Sequence, residues 1–321
     1  MPLGPLVVKL GGDALASPER IAAEARRLAG LFGAEPTLAV TSARRGVTDH
    51  LLGLVDGVRS AVGNSSGAHA EADRAVAAGE IVTASLLALA LNDLGVWAVS
   101  LDAREAGIRV AGKFGDARIQ AIASGKLSRL LARGILPVVT GFQGWRRGRV
   151  ATLGRGGTDT SAVALAVGLG ASRALFVKDA DGLRTADPRL VPDSRPIREA
   201  SHAFLTALAA AGAKVVHPDA AKLAEHHGLP LELYALTGST PATVVRANVT
   251  GHELRAVATR ILDAETAQVT AIAGVQEEAQ GAAHLLREVL GGAGVEIRDE
   301  ESTDHGPSFL VAASQAVTAT R

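Results

Sequence analysis

An α/β fold, with a mostly parallel central sheet covered by helices on both faces, is what this sequence predicts, and three observations predict it. Short apolar runs that stop at glycine or a charged residue alternate with Ala-rich helical stretches, which is the pattern of repeated βα units. Hydrophobic residues make up 47% of the chain and aromatics only 3%, so the core is built from Ala, Val and Leu, as it is where helices pack on buried parallel strands. A length of 321 residues exceeds one small domain and suits a large α/β domain with a smaller appendage.

The elements follow in order. "VVKLGG" opens with a short buried strand that Gly11 and Gly12 stop. Further strands are expected at Thr37–Ala43, Gly134–Phe142 and Ala174–Gly182, with helices over Pro18–Phe32, Glu80–Leu94, Ala117–Arg133 and Asp159–Leu169. In such a sheet ligands sit at the carboxyl ends of the strands, and the glycine-rich and charged residues fall there. Between Ala235 and Glu253 the composition shifts to Thr, Gly and Pro, which places a boundary: a first domain over 1–248 and a second region over 249–321. In that second region Gln268–Val275 reads as a strand, Ala279–Leu290 as a helix, and Gly294–Glu300 and Ser308–Ser314 as strands. A βαββ run of this size is too short for a secure core of its own.

Composition also excludes function classes. Thirty-three basic and 33 acidic residues give a net charge of +0, which argues against nucleic acid held by bulk charge. The absence of cysteine removes disulfides, thiolate nucleophiles and Cys-ligated zinc, and fits a cytoplasmic protein. The start carries no secretory pattern. The longest apolar stretch, Ile81–Leu91, is cut by Asn92 and Asp93, short of the roughly 20 residues that span a bilayer, so no membrane partner is expected. Gly-Lys-[Ser/Thr], Gly-x-Gly-x-x-Gly after a strand, and His-Glu-x-x-His are all missing, which removes the P-loop, dinucleotide and zincin readings.

Two segments carry chemistry instead. Lys9 before Gly11 and Gly12 sets a cation beside backbone that a ligand can approach closely, as a phosphate would; the same residues also make a plain strand-to-helix turn. In "TLGRGGTDTSAVALA", Arg155 sits in a glycine-rich loop where a helix begins. Thr158, Asp159 and Thr160 are placed to cap that helix, and its N-terminus beside a guanidinium suits a carboxylate or phosphate.

Taken together, "KLGG", "TSARRGVTD", "AAGE", "KFGDARI", "ATLGRGGTDTSAVALA", "KDADGLRTADPR" and "GAKVVHP" occur in the order found in aspartate kinases. From about Val7 to about Val245 the chain resembles that branch of the amino-acid kinase superfamily, and the tail from Gln268 resembles the opening half of an ACT regulatory domain. The resemblance implies a three-layer αβα kinase domain, with an ACT-like regulatory or dimerisation region in a homodimer. It also implies ATP-dependent phosphorylation of the aspartate side-chain carboxylate in amino-acid (lysine) biosynthesis, with Mg²⁺ on the phosphates.

Roles follow from the resemblance. Lys9 neutralises the moving phosphoryl group, Gly11 and Gly12 cradle phosphate, Lys214 supplies a second cation near the nucleotide, and Asp159 orients the lysines. Arg155 pairs with a substrate carboxylate, and Thr48 and Glu80 hold the remaining carboxylate and the α-ammonium; Thr48 and Glu80 also read as a helix cap and a helix-dipole partner. Lys178, Asp179, Asp181 and Arg189 fall on the nucleotide side. The chain departs from the family where hydroxyl residues usually stand, at Asp13 and Ala14, with Asp13 expected to add an anion that repels both reactants, and where Lys178 replaces a threonine. These changes leave two alternatives beside the aspartate kinase: a non-catalytic binding paralogue, and a kinase for another acceptor such as an acetylglutamate-like carboxylate or UMP.

Overall fold

The structure, a computed structural model, describes residues 4–63, 69–179, 181–247, 249, 256–272, 279–303 and 306–320. The chain divides into two compact units, Met1–Asp179 and Ala180–Arg321; the composition shift at 248/249 falls inside the second.

In the first unit, parallel strands lie in the order Arg173–Lys178, Leu6–Leu10, Thr37–Thr41, Leu136–Thr140, Ala98–Leu101. Leu6–Leu10, Thr37–Thr41 and Leu136–Thr140 are buried at every position, which requires cover on both faces. Helices Pro18–Ala34, His69–Asp93 and Gly157–Leu169 pack on these strands, and the expected mostly parallel α/β fold is borne out. The first of them shows how sequence makes the element. The Ser17 hydroxyl accepts the Arg20 N–H at 3.4 Å and Pro18 opens the helix, while Ile21, Ala25 and Leu28 recur at helical spacing and turn one face inward.

Two expectations change in this unit. Ala117–Arg133 is not one helix: Asp116–Ile122 is a strand and only Gly125–Ala132 is helical. Gly115, at φ +81°, turns the chain so that this strand pairs antiparallel with Ile108–Lys113, and cross-strand pairing overrides the helix propensity of the alanines. A second hairpin, Gln143–Arg146 with Arg149–Thr152, joins it in a four-stranded sheet. The helix expected from Glu80 begins at His69 and runs 25 residues to Asp93, long and apolar enough by length and composition to cross a membrane. It nonetheless carries buried Asp73 and Glu80, each bonded to backbone N–H groups of other segments of this unit.

In the second unit, Glu199–Ala200 runs parallel to Thr243–Val245, which runs antiparallel to Leu231–Ala235. Helices His202–Ala210 and Pro218–His227 pack on each other. The tail forms a four-stranded antiparallel sheet in the order Ala256–Ile261, Thr266–Ile272, Gly306–Ala312, Ile297–Thr303, with helix Ala279–Gly292 against it. Residues 273–275 of the expected strand lie outside the described residues. The first of these strands was not anticipated. With it the tail has its own core, in which Val269, Leu290, Phe309 and Val311 are each at most 1% exposed. The expectation that the tail lacked one is corrected: the added strand covers what a bare βαββ run would leave open.

Candidate active site

Parallel register assembles the centre of the site. Lys9 lies opposite Phe176, so Lys178, two residues beyond Phe176, projects from the same sheet face. Helix Gly157–Leu169 packs over that face and delivers Asp159 from its first turn. Lys9 Nζ lies 2.9 Å from Asp159 Oδ1 and Lys178 Nζ lies 2.7 Å from Oδ2, with Asp159 only 5% exposed. Burial by itself would raise the Asp159 carboxyl, but the charges of Lys9 and Lys178 outweigh it and hold the acid well below the usual carboxylate range. Burial pushes the Lys178 ammonium down, against the pull of Asp159. One aspartate between two lysines leaves a surplus positive charge.

The trio lines a cavity of about 620 Å³ together with Thr48, Glu80 and Arg155. Every residue assigned to substrate holding therefore shares one cavity with Lys9 and Asp159. Arg155 is exposed on its loop between Gly154 and Gly156, at φ +75° and +74°, a backbone that only glycine adopts without strain. The expected side-chain cap is corrected. Gly156 caps this helix with no side-chain hydrogen bond, and the Asp159 carboxylate turns to the lysines instead. Thr48 is not a cap either, since Gly46 opens Val47–Val62.

Glu80 is 2% exposed. Its Oε1 accepts the Ala43 N–H at 3.0 Å, while Oε2 has no partner among the described residues. Desolvation pushes its pKa from the ordinary 4.5 up to about 7. The folded chain thus binds this proton more tightly than the unfolded chain, and stability fully present below about pH 4.5 is lost as pH rises through about 7, by about 3 kcal/mol. Glu80→Gln is expected to abolish that loss in urea titrations at pH 5, 6 and 8 without substrate; parallel curves for the two proteins would refute it.

At the opening turn one expectation is corrected. The Gly11 N–H donates to Val177 O at 3.3 Å, so it ties the loop to the neighbouring strand and is not presented to a phosphate. Gly12 is required for another reason: a Cβ there would sit 2.8 Å from Ala43 O. The same close approach allows the Arg45 N–H to bond Gly12 O at 3.2 Å. It also sets Arg45 Nη1 2.9 Å from Asp13 Oδ1, and Asp13 is not among the residues lining the cavity. That exposed pair adds little stability, but it cancels the anion expected to repel the reactants.

Asp179 is exposed at the end of its strand. Lys214, Asp181 and Arg189 belong to the second unit, where Lys214 is exposed, Asp181 pairs with Arg184 at 3.0 Å and Arg189 pairs with Asp187 at 2.6 Å. Asp73 is among the cavity residues that the sequence reading did not single out. Asp73 Oδ2 accepts the N–H groups of Gly115 at 2.9 Å and Thr152 at 2.7 Å, partners 42 and 79 residues away. It pins both hairpins to the long helix, and no local pattern signals so distant a pairing.

A family model described as the amino acid kinase family matches residues 4–234. The aspartokinase of Geobacillus stearothermophilus is 34% identical over 286 residues, 88% of this chain and 69% of that one. The aspartokinase of Rickettsia prowazekii is 37% identical over 247 residues, 75% and 54% of the two chains. The chain thus spans between about half and about two thirds of the length of these relatives. Among solved structures, an aspartate kinase from Synechocystis is similar with a TM-score of 0.65 and 31% identity, over 98% of this chain and 54% of that one. E. coli aspartokinase III, solved in complex with aspartate and ADP, shares the fold with a TM-score of 0.70 and 23% identity, over 97% and 79% of the chains.

Proposed function

Since the chain belongs to the amino acid kinase family and, within it, to the aspartokinases, we propose that it transfers the γ-phosphoryl group of ATP to the side-chain carboxylate of L-aspartate. The products are 4-phospho-L-aspartate and ADP. The single observation that carries this reading is the buried Asp159 held between two lysines in the same cavity as Thr48, Glu80 and Arg155.

The obstacle to the reaction is repulsion between two anions, and positioning with charge neutralisation is what removes it. Arg155 forks onto the substrate α-carboxylate with help from Thr48. Glu80 offers its unpartnered Oε2 to the α-ammonium, which returns the carboxyl to its ionised state. The β-carboxylate is already ionised, so no base is needed. Its oxygen forms a bond to the γ-phosphorus while the bond from phosphorus to the β,γ-bridging oxygen breaks, and the electron pair leaves on ADP. Lys9, aimed by Asp159, meets the negative charge on the transferring oxygens.

ATP supplies the phosphoryl group. Among the described residues no three metal-ligating side chains cluster, which fits a Mg²⁺ that rides on the nucleotide phosphates and takes few protein ligands. Gly12, Asp179, Asp181, Arg189 and Lys214 stay in the proposal on the family resemblance alone. So do the division at 248/249, the ACT-like character of the tail, a homodimer, a cytoplasmic location and service to lysine biosynthesis.

The test is ADP release with Mg-ATP and a panel of aspartate, acetylglutamate, glutamate and UMP, trapping acyl phosphate with hydroxylamine. Hydroxamate with aspartate alone is the expected result. ATP binding without turnover on any acceptor would make the chain a binding paralogue, and turnover of UMP would make it a nucleotide kinase.

A further inference from the structure

Lys178 stands where aspartate kinases usually carry threonine, and the geometry of the trio gives that exchange a meaning. Asp159 already has a counter-charge in Lys9, at 2.9 Å, so its burial does not call for a second cation. Lys178 nevertheless reaches its other oxygen at 2.7 Å, and its own side chain is 14% exposed at the cavity wall. With a neutral residue at this position the lysine and the aspartate cancel; with lysine the trio carries one net positive charge. Holding an ammonium charged away from water is unfavourable, as the downward push on Lys178 reflects. An anion entering the cavity reverses that balance, because charges attract strongly where solvent is excluded.

We propose that Lys178 is a catalytic residue of this chain, a second cation directed at the γ-phosphoryl group and held in place by Asp159. The proposal rests on the phosphoryl-transfer reading above. Register supports it: Lys9 and Lys178 rise from adjacent parallel strands on one face, so both ammonium groups approach one phosphoryl group from the same side. Asp159 sits between them as a positioning residue and keeps two like charges together. No bond of Lys178 is made or broken; it neutralises oxygens of the moving group and releases them with the product.

Two neutral variants of the full chain test this. Lys178→Thr installs the usual family residue, and Lys178→Gln keeps a donor toward Asp159 without the charge. Affinities for Mg-ATP and Mg-ADP are measured by calorimetry, kcat and the KM for aspartate by hydroxamate formation, and folding by thermal melting. The expected result is a kcat lower by about 10²-fold and an ATP affinity lower by at least tenfold. ADP affinity and the KM for aspartate should change less than threefold, and Lys178→Arg should restore most of the preference for ATP over ADP. A folded neutral variant with wild-type kcat and an unchanged ATP-to-ADP preference would reduce Lys178 to a structural ion pair and overturn the proposal. Should both neutral variants unfold, the wild-type protein decides: equal affinities for Mg-ATP and Mg-ADP would overturn the proposal, because a cation directed at the γ-phosphoryl group favours ATP. Wild-type protein without turnover on any acceptor would instead overturn the kinase reading, and this inference with it.

Discussion

Asp159→Ala is expected to destabilise the chain by about 3–5 kcal/mol, the range for removing one partner of a buried ion pair. The loss comes from what remains. Lys9 and Lys178, both nearly out of water, would face each other with no carboxylate between them. Each ammonium would favour its neutral form, so in the variant the folded-state lysine pKa drops below that of the unfolded chain. Between those two values the unfolded chain binds more protons, and stability rises with pH. Urea unfolding at pH 7 and pH 9.5 checks both parts: a large deficit at pH 7 that shrinks at pH 9.5. A deficit under about 1 kcal/mol, equal at both pH values, would mean that the lysines relax to solvent and that Asp159 does not organise them.

Lys9→Ala is expected to behave in the opposite way, sparing the fold and removing the activity. Asp159 keeps its 2.7 Å bond to Lys178, so no buried charge is stranded and the melting temperature should move by a few degrees at most. Turnover with Mg-ATP and aspartate should fall by about 10²–10³-fold, the usual loss when one preorganised donor to a developing anion is deleted. ADP release coupled to hydroxamate trapping reads this directly. A folded Lys9→Ala protein within threefold of wild-type kcat would show that the phosphoryl group does not meet Lys9.

Much of the site was legible because its residues sit at chain punctuation. Lys9 precedes a glycine stop at the end of a strand, and Arg155 and Asp159 bracket a glycine-rich entry into a helix. In a parallel sheet such positions gather at one end. The partners of those residues were less legible. Asp159 was expected to orient Lys9 and Lys214; that Lys178, placed only on the nucleotide side, also bonds its second oxygen was not foreseen. Asp13 was expected to trouble the reactants, whereas it pairs with Arg45, which lies on another strand-to-helix connection. Ala117–Arg133 looked helical from its alanines until Gly115 turned half of it into a hairpin.

The sequence by itself determined the alternation of strands and helices, the family, and which residue types stand at the strand ends. Those depend on periodicity and on local backbone chemistry, which a chain carries in its own order. Tertiary structure alone decided that Lys178 joins Lys9 on Asp159, that Glu80 is buried with one oxygen unpaired and titrates near neutrality, and that Gly11 spends its N–H on Val177. Charge state and hydrogen-bond partnership depend on burial and on which strands lie side by side, and both arise only when distant segments pack.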